Sequence, residues 1–312
     1  MGRYLIKTFA TVIPTLFGVV TVVFLLIHLA PGDPVLAILG PYATADSVNE
    51  LRKSLGLDQP LFVQYGKFIG GLVRGDLGRS LVTEQPVLIE TLRPFPYTVQ
   101  LALSGVFMSI LMGIPIGILS ALRRNTFLDY FVRTVSISGI SVPVFFLAIL
   151  LLLIFSYWLG WFPIVGAGDT SSWRSLLQHL VLPATTIGLS TAVLIMRLTR
   201  SCMLEVLGQD YIRTARAKGL GEKAVILVHG LKNALLPIVT VVGLYMGHLL
   251  GGAILVETVF ARQGVGKLLM DAILARDYPQ VQGTVLIFAC AVIFINVMVD
   301  ITYRFLDPRI KL

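Results

Sequence analysis

The chain has 312 residues, of which 56% are hydrophobic and only 13% are charged, and its mean hydropathy is +0.85. This composition excludes an ordinary soluble globular protein and indicates an integral membrane protein. The net charge of +8 does not indicate nucleic-acid binding, because basic residues in a membrane protein mark the side of the membrane on which each loop lies.

Six segments without Asp, Glu, Lys or Arg are long enough to cross a bilayer. A helix needs about 20 residues to span the roughly 30 Å of hydrocarbon. Backbone groups in lipid must be satisfied within their own segment, so runs of this length predict helices and not barrel strands. The predicted fold is therefore all-α, with six transmembrane helices. The runs are residues 8–32, 94–122, 134–168, 175–196, 233–256 and 278–299.

The distribution of basic residues predicts that both termini are cytoplasmic. With the N-terminus inside, the inner pieces hold 15 of the 25 Lys and Arg residues, and the two short outer loops hold four. The other six lie in the outer segment after the first span, which is long enough to be translocated regardless of its charge. Arg3 and Lys7 precede an apolar run that is too long for a signal peptide, so we expect an uncleaved first span.

Residues 1–30 form the first predicted span and residues 31–95 an extracytoplasmic segment. Two prolines and a glycine after Ala30 stop the first helix. In the outer segment, Thr44 or Asp46 is a candidate cap for a short helix that ends at Gly56. Residues 59–73 carry a further apolar helical face, which we expect on the membrane surface or against a neighbour.

The other five spans occupy residues 96–304 and are followed by a cytoplasmic tail, residues 305–312. Small residues and prolines in these spans are candidates for close helix packing or for lining a pathway, and the sequence favours neither role over the other. In chain order they are Gly113, Pro115 and Gly117 in the second span, Pro143 in the third, and Gly243, Gly247 and Gly251 in the fifth.

Between the fourth and fifth spans lies a charged loop, residues 201–232, which is too polar for hydrocarbon. Apolar Leu204, Leu207, Tyr211 and Ala215 recur at steps of three and four, which predicts an amphipathic helix. Basic residues and then Gly219 are typical of a helix C-terminus, and a second helix is expected from about Glu222. A basic loop that rests on lipid headgroups is an equally simple interpretation of the pattern.

Several motifs in this chain resemble those of one family of transport proteins. The run ARAKG at 215–219, followed by LLP at 235–237, is similar to the EAA loop of ATP-binding-cassette (ABC) importer permeases, although Arg213 and Thr214 depart from the general pattern. The runs PGDP (31–34), GLDQP (56–60), GDLGRS (75–80) and GGAILVETVFARQGVGKLLMDAILARDYPQVQG (251–283) are similar to the peptide and nickel permeases. The chain is thus identified as resembling the dipeptide and oligopeptide permease B family of binding-protein-dependent inner-membrane components.

That resemblance implies a type I importer permease in the bacterial inner membrane. It would pair with a second permease, with two ATPase subunits that bind ATP and Mg²⁺, and with an extracytoplasmic solute-binding protein, while this chain holds no cofactor. The implied substrates are di- or oligopeptides, with nickel chelates or glutathione as alternatives. The EAA loop implies a coupling helix in which Tyr211, Ala215 and Gly219 enter an ATPase groove and Arg213, Arg216 and Lys218 pair with its acidic rim. The whole implied coupling set is Glu205, Asp210, Tyr211, Arg213, Ala215, Arg216, Lys218 and Gly219.

The sequence carries no recognisable enzyme site. The one Gly-rich candidate, residues 263–267, has Leu268 where a phosphate-binding loop needs Ser or Thr. Ionisable residues within the spans are nearly absent, which disfavours a proton-driven secondary transporter. A self-contained secondary transporter or channel and an intramembrane enzyme stay as the alternative classes.

Overall fold

A computed structural model describes residues 2–29, 32–40, 42–169 and 171–306. The regular secondary structure of the described residues is helical. Their one β-type pairing is an isolated bridge between Arg79 and Pro86. Residues 307–312 of the predicted tail and Pro31 of the PGDP motif lie outside the described residues. The helices are α1 (Gly2–Leu29), α2 (Pro34–Leu39), α3 (Ala45–Ser54), α4 (Leu61–Val73), α5 (Val87–Leu92), α6 (Phe95–Leu122), α7 (Phe127–Ser141), α8 (Val144–Leu151), α9 (Trp173–Leu207), α10 (Asp210–Ala217), α11 (Glu222–Ala224), α12 (Lys232–Val259), α13 (Val265–Leu274) and α14 (Tyr278–Leu306). Two helices continue as π-helical stretches, α8 over Leu152–Trp158 and α11 over Val225–Leu231.

The apolar helices support the predicted number of spans. Four are long and apolar enough to cross a membrane, and there are up to six if each of two bent helix pairs counts as one span. The four are Ala10–Leu29, Val87–Leu122, Trp173–Leu207 and Tyr278–Val299, and the bent pairs are Phe127–Ser141 with Val144–Trp158 and Glu222–Leu235 with Pro237–Gly247. The all-α membrane fold is therefore confirmed, and the orientation of the termini stays a prediction.

The third predicted span, within residues 134–168, is sharply bent, and its expected course as one continuous helix is wrong. Helix α7 begins earlier, at Phe127, and turns by 107° into α8. Pro143 caps α8, and Val142 before it has extended backbone, with ψ of 119°. A residue that precedes proline is pushed out of the helical region, which explains a break at this position.

Helix α9 is the longest helix of the described chain, with 35 residues. The hydroxyl of Ser172 caps its start, and Gly208 caps its end. It extends beyond the predicted run, residues 175–196, by two residues at its start and by eleven at its end. Residues from the middle of α9 form much of the buried core with α6, α8 and α12, including Leu182, Ile187 and Ile195.

The chain divides into two compact units. One comprises residues 1–96 with 263–294, and the other comprises residues 97–262 with 295–312. The first unit holds the outer segment, α13 and most of α14. The second holds α6 to α12 and therefore the 201–232 loop.

Within the first unit, the motifs that carry the family resemblance lie against one another. The carboxylate of Asp277 accepts hydrogen bonds from the Ser80 hydroxyl and from the backbone N–H of Leu81, the latter at 3.1 Å. The amide nitrogen of Gln280 donates to the hydroxyls of Thr91 and Thr284, at 3.1 and 2.9 Å. The loop after α4 is thus fastened to the start of α14 by buried polar contacts.

Short helices of the outer segment begin where the sequence predicts. The Thr44 hydroxyl accepts from the backbone N–H of Ser47 and caps α3. Of the two candidates, Thr44 and Asp46, the N-cap is therefore Thr44. Gly56 follows α3 with φ of +69°, a conformation that favours glycine. On α4, Tyr65 packs against Phe24 of α1, and its hydroxyl lies 2.6 Å from that of Thr21.

Candidate functional site

The stretch from Leu204 to Ala217 is divided between two helices, α9 and α10, where one continuous amphipathic helix was expected. Helix α9 ends at Leu207, Gly208 caps it, and Gln209 has extended backbone with ψ of 150° before α10 begins at Asp210. The expectation of one continuous amphipathic helix is wrong because this two-residue break separates Leu204 and Leu207 from Tyr211 and Ala215. Glu205 accordingly lies in the last turn of α9.

The buried face of α10 contains Ala215, as predicted, but Ile212 takes the place of Tyr211. Ile212 and Ala215 are buried and pack with Val225, next to the half-buried Leu207. Tyr211 is 42% exposed instead. Because the break resets the helical phase, a stripe counted from Leu204 selects Tyr211 and misses Ile212. The pair at i and i+3, Ile212 and Ala215, is the signal within α10 itself.

The opposite face of α10 is polar and open to solvent. The side chains of Asp210 and Arg213 are 98% and 78% exposed, and their charged atoms are 3.6 Å apart. Arg216 pairs with Glu222 at 2.8 Å across the following turn, and Lys218 is exposed. Exposed pairs of this kind add little stability, so these charges are available to a partner at small cost.

The end of α10 has the geometry that the sequence predicts. Gly219 has φ of +81°, and its N–H donates to the Arg216 carbonyl at 2.9 Å. This left-handed residue turns the chain from α10 toward α11, which starts at Glu222 as expected. Nothing lies within 4 Å of a Cβ placed on Gly219 or on Gly221. The requirement for glycine at 219 is therefore conformational and not steric.

One side-chain hydrogen bond connects α10 to the helix that follows the loop. The amide of Asn233, in the first turn of α12, donates to the Tyr211 hydroxyl at 2.8 Å and to the His229 carbonyl at 3.1 Å. The Arg216–Glu222 pair closes the turn between α10 and α11. Helix α10 is thus attached at one end to α9 and through side chains to α12.

A buried ion pair lies near the same end of α9, and the sequence reasoning missed it. Asp129 of α7 is fully buried and accepts two hydrogen bonds from Arg200 of α9, at 2.6 and 2.8 Å. The same carboxylate accepts from the Ser120 hydroxyl and from the Asn125 N–H. One side chain therefore holds the ends of α6, α7 and α9 together. No local pattern reveals a pair 71 residues apart.

A second buried charged cluster lies where α12 ends. The Thr98 hydroxyl donates to the carboxylate of Glu257 at 2.7 Å, and Arg262 donates to the side chain of Gln100 at the same distance. Arg262 also lies over the ring of Tyr97. Burial lowers the pKa of Arg262, and the nearby Glu257 carboxylate opposes this shift. Glu257 and Arg262 belong to one of the motifs by which the chain resembles the permease family.

The small residues predicted for packing divide into two groups. A Cβ on Gly113 would meet Ile195 at 2.8 Å, and one on Gly117 would meet the Met196 carbonyl at 2.7 Å, so both permit close contact of α6 with α9. Pro115 and Pro143 are exposed. On α12, Gly243 is buried and Gly247 half-buried, whereas Gly251 is exposed with nothing within 4 Å of an added Cβ. Gly243 and Gly247 are therefore covered at least in part within this chain, whereas Gly251 is not.

Two family models match the sequence and together cover all of it except residues 103–112. The binding-protein-dependent transport system inner membrane component matches residues 113–312. The N-terminal model of the same membrane component matches residues 1–102.

Curated relatives match over their full length. The glutathione transport system permease protein GsiC of Escherichia coli K12 is 44% identical over 311 residues, which is 100% of this chain and 99% of that protein. The protein of the same name from Salmonella paratyphi A is 45% identical with the same coverage.

A solved structure shares the fold. The inward-facing MetNI methionine ABC transporter contains a chain that aligns with a TM-score of 0.58 and 18% identity. The alignment covers 71% of this chain and 96% of that one.

Proposed function

Because the chain belongs to the family of binding-protein-dependent transport system inner membrane components, we propose that its 201–232 loop couples ATP hydrolysis by partner subunits to solute movement. It is a multi-pass inner-membrane permease component of an ABC importer. The proposal concerns which residues transmit the motion, which partners they meet and which solute passes.

The observation that carries the coupling proposal is the division of α10 into an anchored face and a free face. Ile212 and Ala215 fix α10 to Val225 of its own chain, so Ala215 positions the helix and does not enter a partner groove. Tyr211, Arg213 and Lys218 are exposed and form the contact surface for an ATPase subunit. The positive charges of Arg213 and Lys218 favour an acidic rim on that subunit.

Displacement of α10 would reach the membrane helices through its attachments. Gly208 and Gln209 join it to α9 along the chain, and the Asn233–Tyr211 hydrogen bond joins it to α12. In our proposal, ATP and Mg²⁺ binding closes two ATPase subunits, moves α10 and switches a pathway shared with a second permease between inward-facing and outward-facing states. An extracytoplasmic binding protein delivers the solute.

We propose glutathione as the substrate, with di- and oligopeptides as the alternative. The support for glutathione is the 44% identity, over the full length, to permeases of glutathione transport systems. The alternative is supported by the motifs shared with peptide permeases. Competition between labelled glutathione and unlabelled dipeptides in cells that contain the complete system distinguishes the two.

Substitution of Gly219 tests the coupling. Valine at φ of +81° costs more than the roughly 1–2 kcal/mol of an ordinary residue in the left-handed region, so α10 would lose its C-terminal turn. We expect Gly219→Val to abolish ATP-dependent uptake and solute-stimulated ATP hydrolysis, with normal amounts of protein in the membrane. Undiminished uptake by Gly219→Val would refute the coupling role of this loop.

A matched control lies two residues further along the same loop. Gly221 has φ of −61° and ψ of 143°, an extended conformation that valine readily adopts, and space around it is open. Gly221→Val should therefore retain uptake. The purified chain in liposomes without its partners should transport no glutathione, and uptake there would favour a self-contained transporter.

A further inference from the structure

A cavity of about 300 Å³ lies in the first unit. Its walls come from the end of α1, the turn between α3 and α4, α4 itself, the loop after α4 and the start of α14. Phe24, Leu57 and Phe68 provide apolar lining. The volume lies at the lower end of the range for small-molecule sites, about 300–1,000 Å³.

Two neutral polar residues of the lining, His28 and Gln64, already make contacts within the unit. His28 lies 2.8 Å from the Phe24 carbonyl through Nδ1 and 3.2 Å from Gln64 Oε1 through Nε2. The Gln64 amide donates to the Gln59 carbonyl at 2.7 Å. These contacts fix His28 and Gln64 in the wall, and the charged residues of the lining are the candidates for recognition of a charged ligand.

Two opposite charges, Lys67 and Asp76, line the cavity without pairing. Both side chains are exposed, and neither belongs to any of the ion pairs found at 4.0 Å or less among the described residues. The neighbouring backbone holds Asp76 in place. Its carboxylate accepts from the Gly78 N–H at 2.8 Å, and its own N–H donates to the Gly71 carbonyl at 3.0 Å.

The backbone holds Asp76 close to α4. The Gly71 carbonyl, which accepts from the Asp76 N–H, lies four residues after Lys67, about one helical turn further along α4. A Cβ on Gly71 would meet the Asp76 carbonyl at 3.0 Å, which shows how closely the loop approaches the helix. A ligand that carries both an ammonium and a carboxylate group would complement these two opposite charges.

We propose that this cavity binds a free α-amino acid with an apolar side chain. Lys67 would donate to the carboxylate of the ligand, Asp76 would accept from its ammonium group, and Phe24 and Phe68 would contact its side chain. Charge-assisted hydrogen bonds at both ends give specificity for a zwitterion. The site lies entirely within the first unit and does not involve the 201–232 loop or the ATPases.

The test measures binding of L-leucine to the full-length chain in lipid nanodiscs by isothermal titration calorimetry. We expect saturable binding that weakens at least about tenfold in Lys67→Gln and in Asp76→Asn, as for loss of one hydrogen bond to a charged group. Leucinamide, which lacks the carboxylate, and N-acetyl-leucine, which lacks the ammonium group, should show a similar loss on the unchanged protein.

Controls come from the same outer segment. Lys53 and Asp58 are exposed and do not line the cavity, so Lys53→Gln and Asp58→Asn should bind L-leucine normally. The exchange Lys67→Asp with Asp76→Lys should recover part of the lost affinity. The proposal is overturned if the unchanged protein binds no L-leucine, or if all four single variants bind alike. Weakened association of an extracytoplasmic binding protein in Lys67→Gln, without amino-acid binding, would assign the cavity to a protein partner.

The outcome is separable from that of the coupling proposal. Lys67→Gln should leave ATP hydrolysis by the assembled complex responsive to solute, whereas Gly219→Val should not. Failure of the leucine test therefore leaves the coupling proposal unaffected.

Discussion

Removal of the Asp129 carboxylate should destabilise the second unit more than any change to an exposed charge. The substitution Asp129→Ala deletes the acceptor of four hydrogen bonds and leaves the Arg200 guanidinium, whose side chain is 20% exposed, without its partner. Breaking a buried pair costs about 3–5 kcal/mol. Because Arg200 keeps some access to water, we expect the free energy of unfolding to fall by about 3 kcal/mol.

The measurement is equilibrium unfolding of the detergent-solubilised chain, compared with a matched exposed pair. Asp210→Ala removes an exposed carboxylate 3.6 Å from Arg213 and should cause no measurable change. The double variant Asp129→Ala with Arg200→Met should be more stable than Asp129→Ala alone, because the uncompensated charge is then gone. Equal stability of Asp129→Ala and Asp210→Ala would refute the reasoning.

Two further substitutions test packing and the buried polar contacts. Gly117→Ala places a Cβ 2.7 Å from the Met196 backbone carbonyl and should lower the free energy of unfolding by about 1–3 kcal/mol. Gly251→Ala, at a position with open space, should leave the free energy of unfolding unchanged. Equal losses in the two variants would contradict the close contact of α6 with α9. Asp277→Asn replaces one of the two carboxylate oxygens, which accept from the Ser80 hydroxyl and the Leu81 N–H, by an amide donor. One of the two contacts is then lost, which should cost about 1–3 kcal/mol in the same assay, whereas an unchanged unfolding midpoint would show that these contacts add no stability.

Local patterns in the sequence predicted the features that depend on local physics. The apolar runs gave the number and approximate position of the spans, because the bilayer sets a minimum length. Thr44 and Gly219 were identified from capping and turn chemistry, and the structure confirms the cap and the positive φ. Each of these features depends only on residues a few positions apart.

Features that depend on distant residues or on a change of helical phase were not predicted. The Asp129–Arg200 pair joins residues far apart in sequence, and neither charge is unusual in its own segment. The stripe that selected Tyr211 assumed that the helix continues through Gly208, and the break after it moved Ile212 to the buried side. Asp277 and Ser80 were noticed only as parts of motifs, and the contact between them explains why those motifs go together.

The length of α9 has a mechanical consequence. At 1.5 Å per residue, its 35 residues form a rod of about 52 Å, some 20 Å longer than the hydrocarbon it crosses. A tilt of about 10° around its midpoint would carry the end next to α10 sideways by roughly 4–5 Å, more than the spacing of consecutive Cα atoms, about 3.8 Å. A small rotation of α9 within the membrane would thus move α10 sideways by more than the distance between consecutive Cα atoms. Conversely, a sideways push on α10 would rotate α9 by only a small angle.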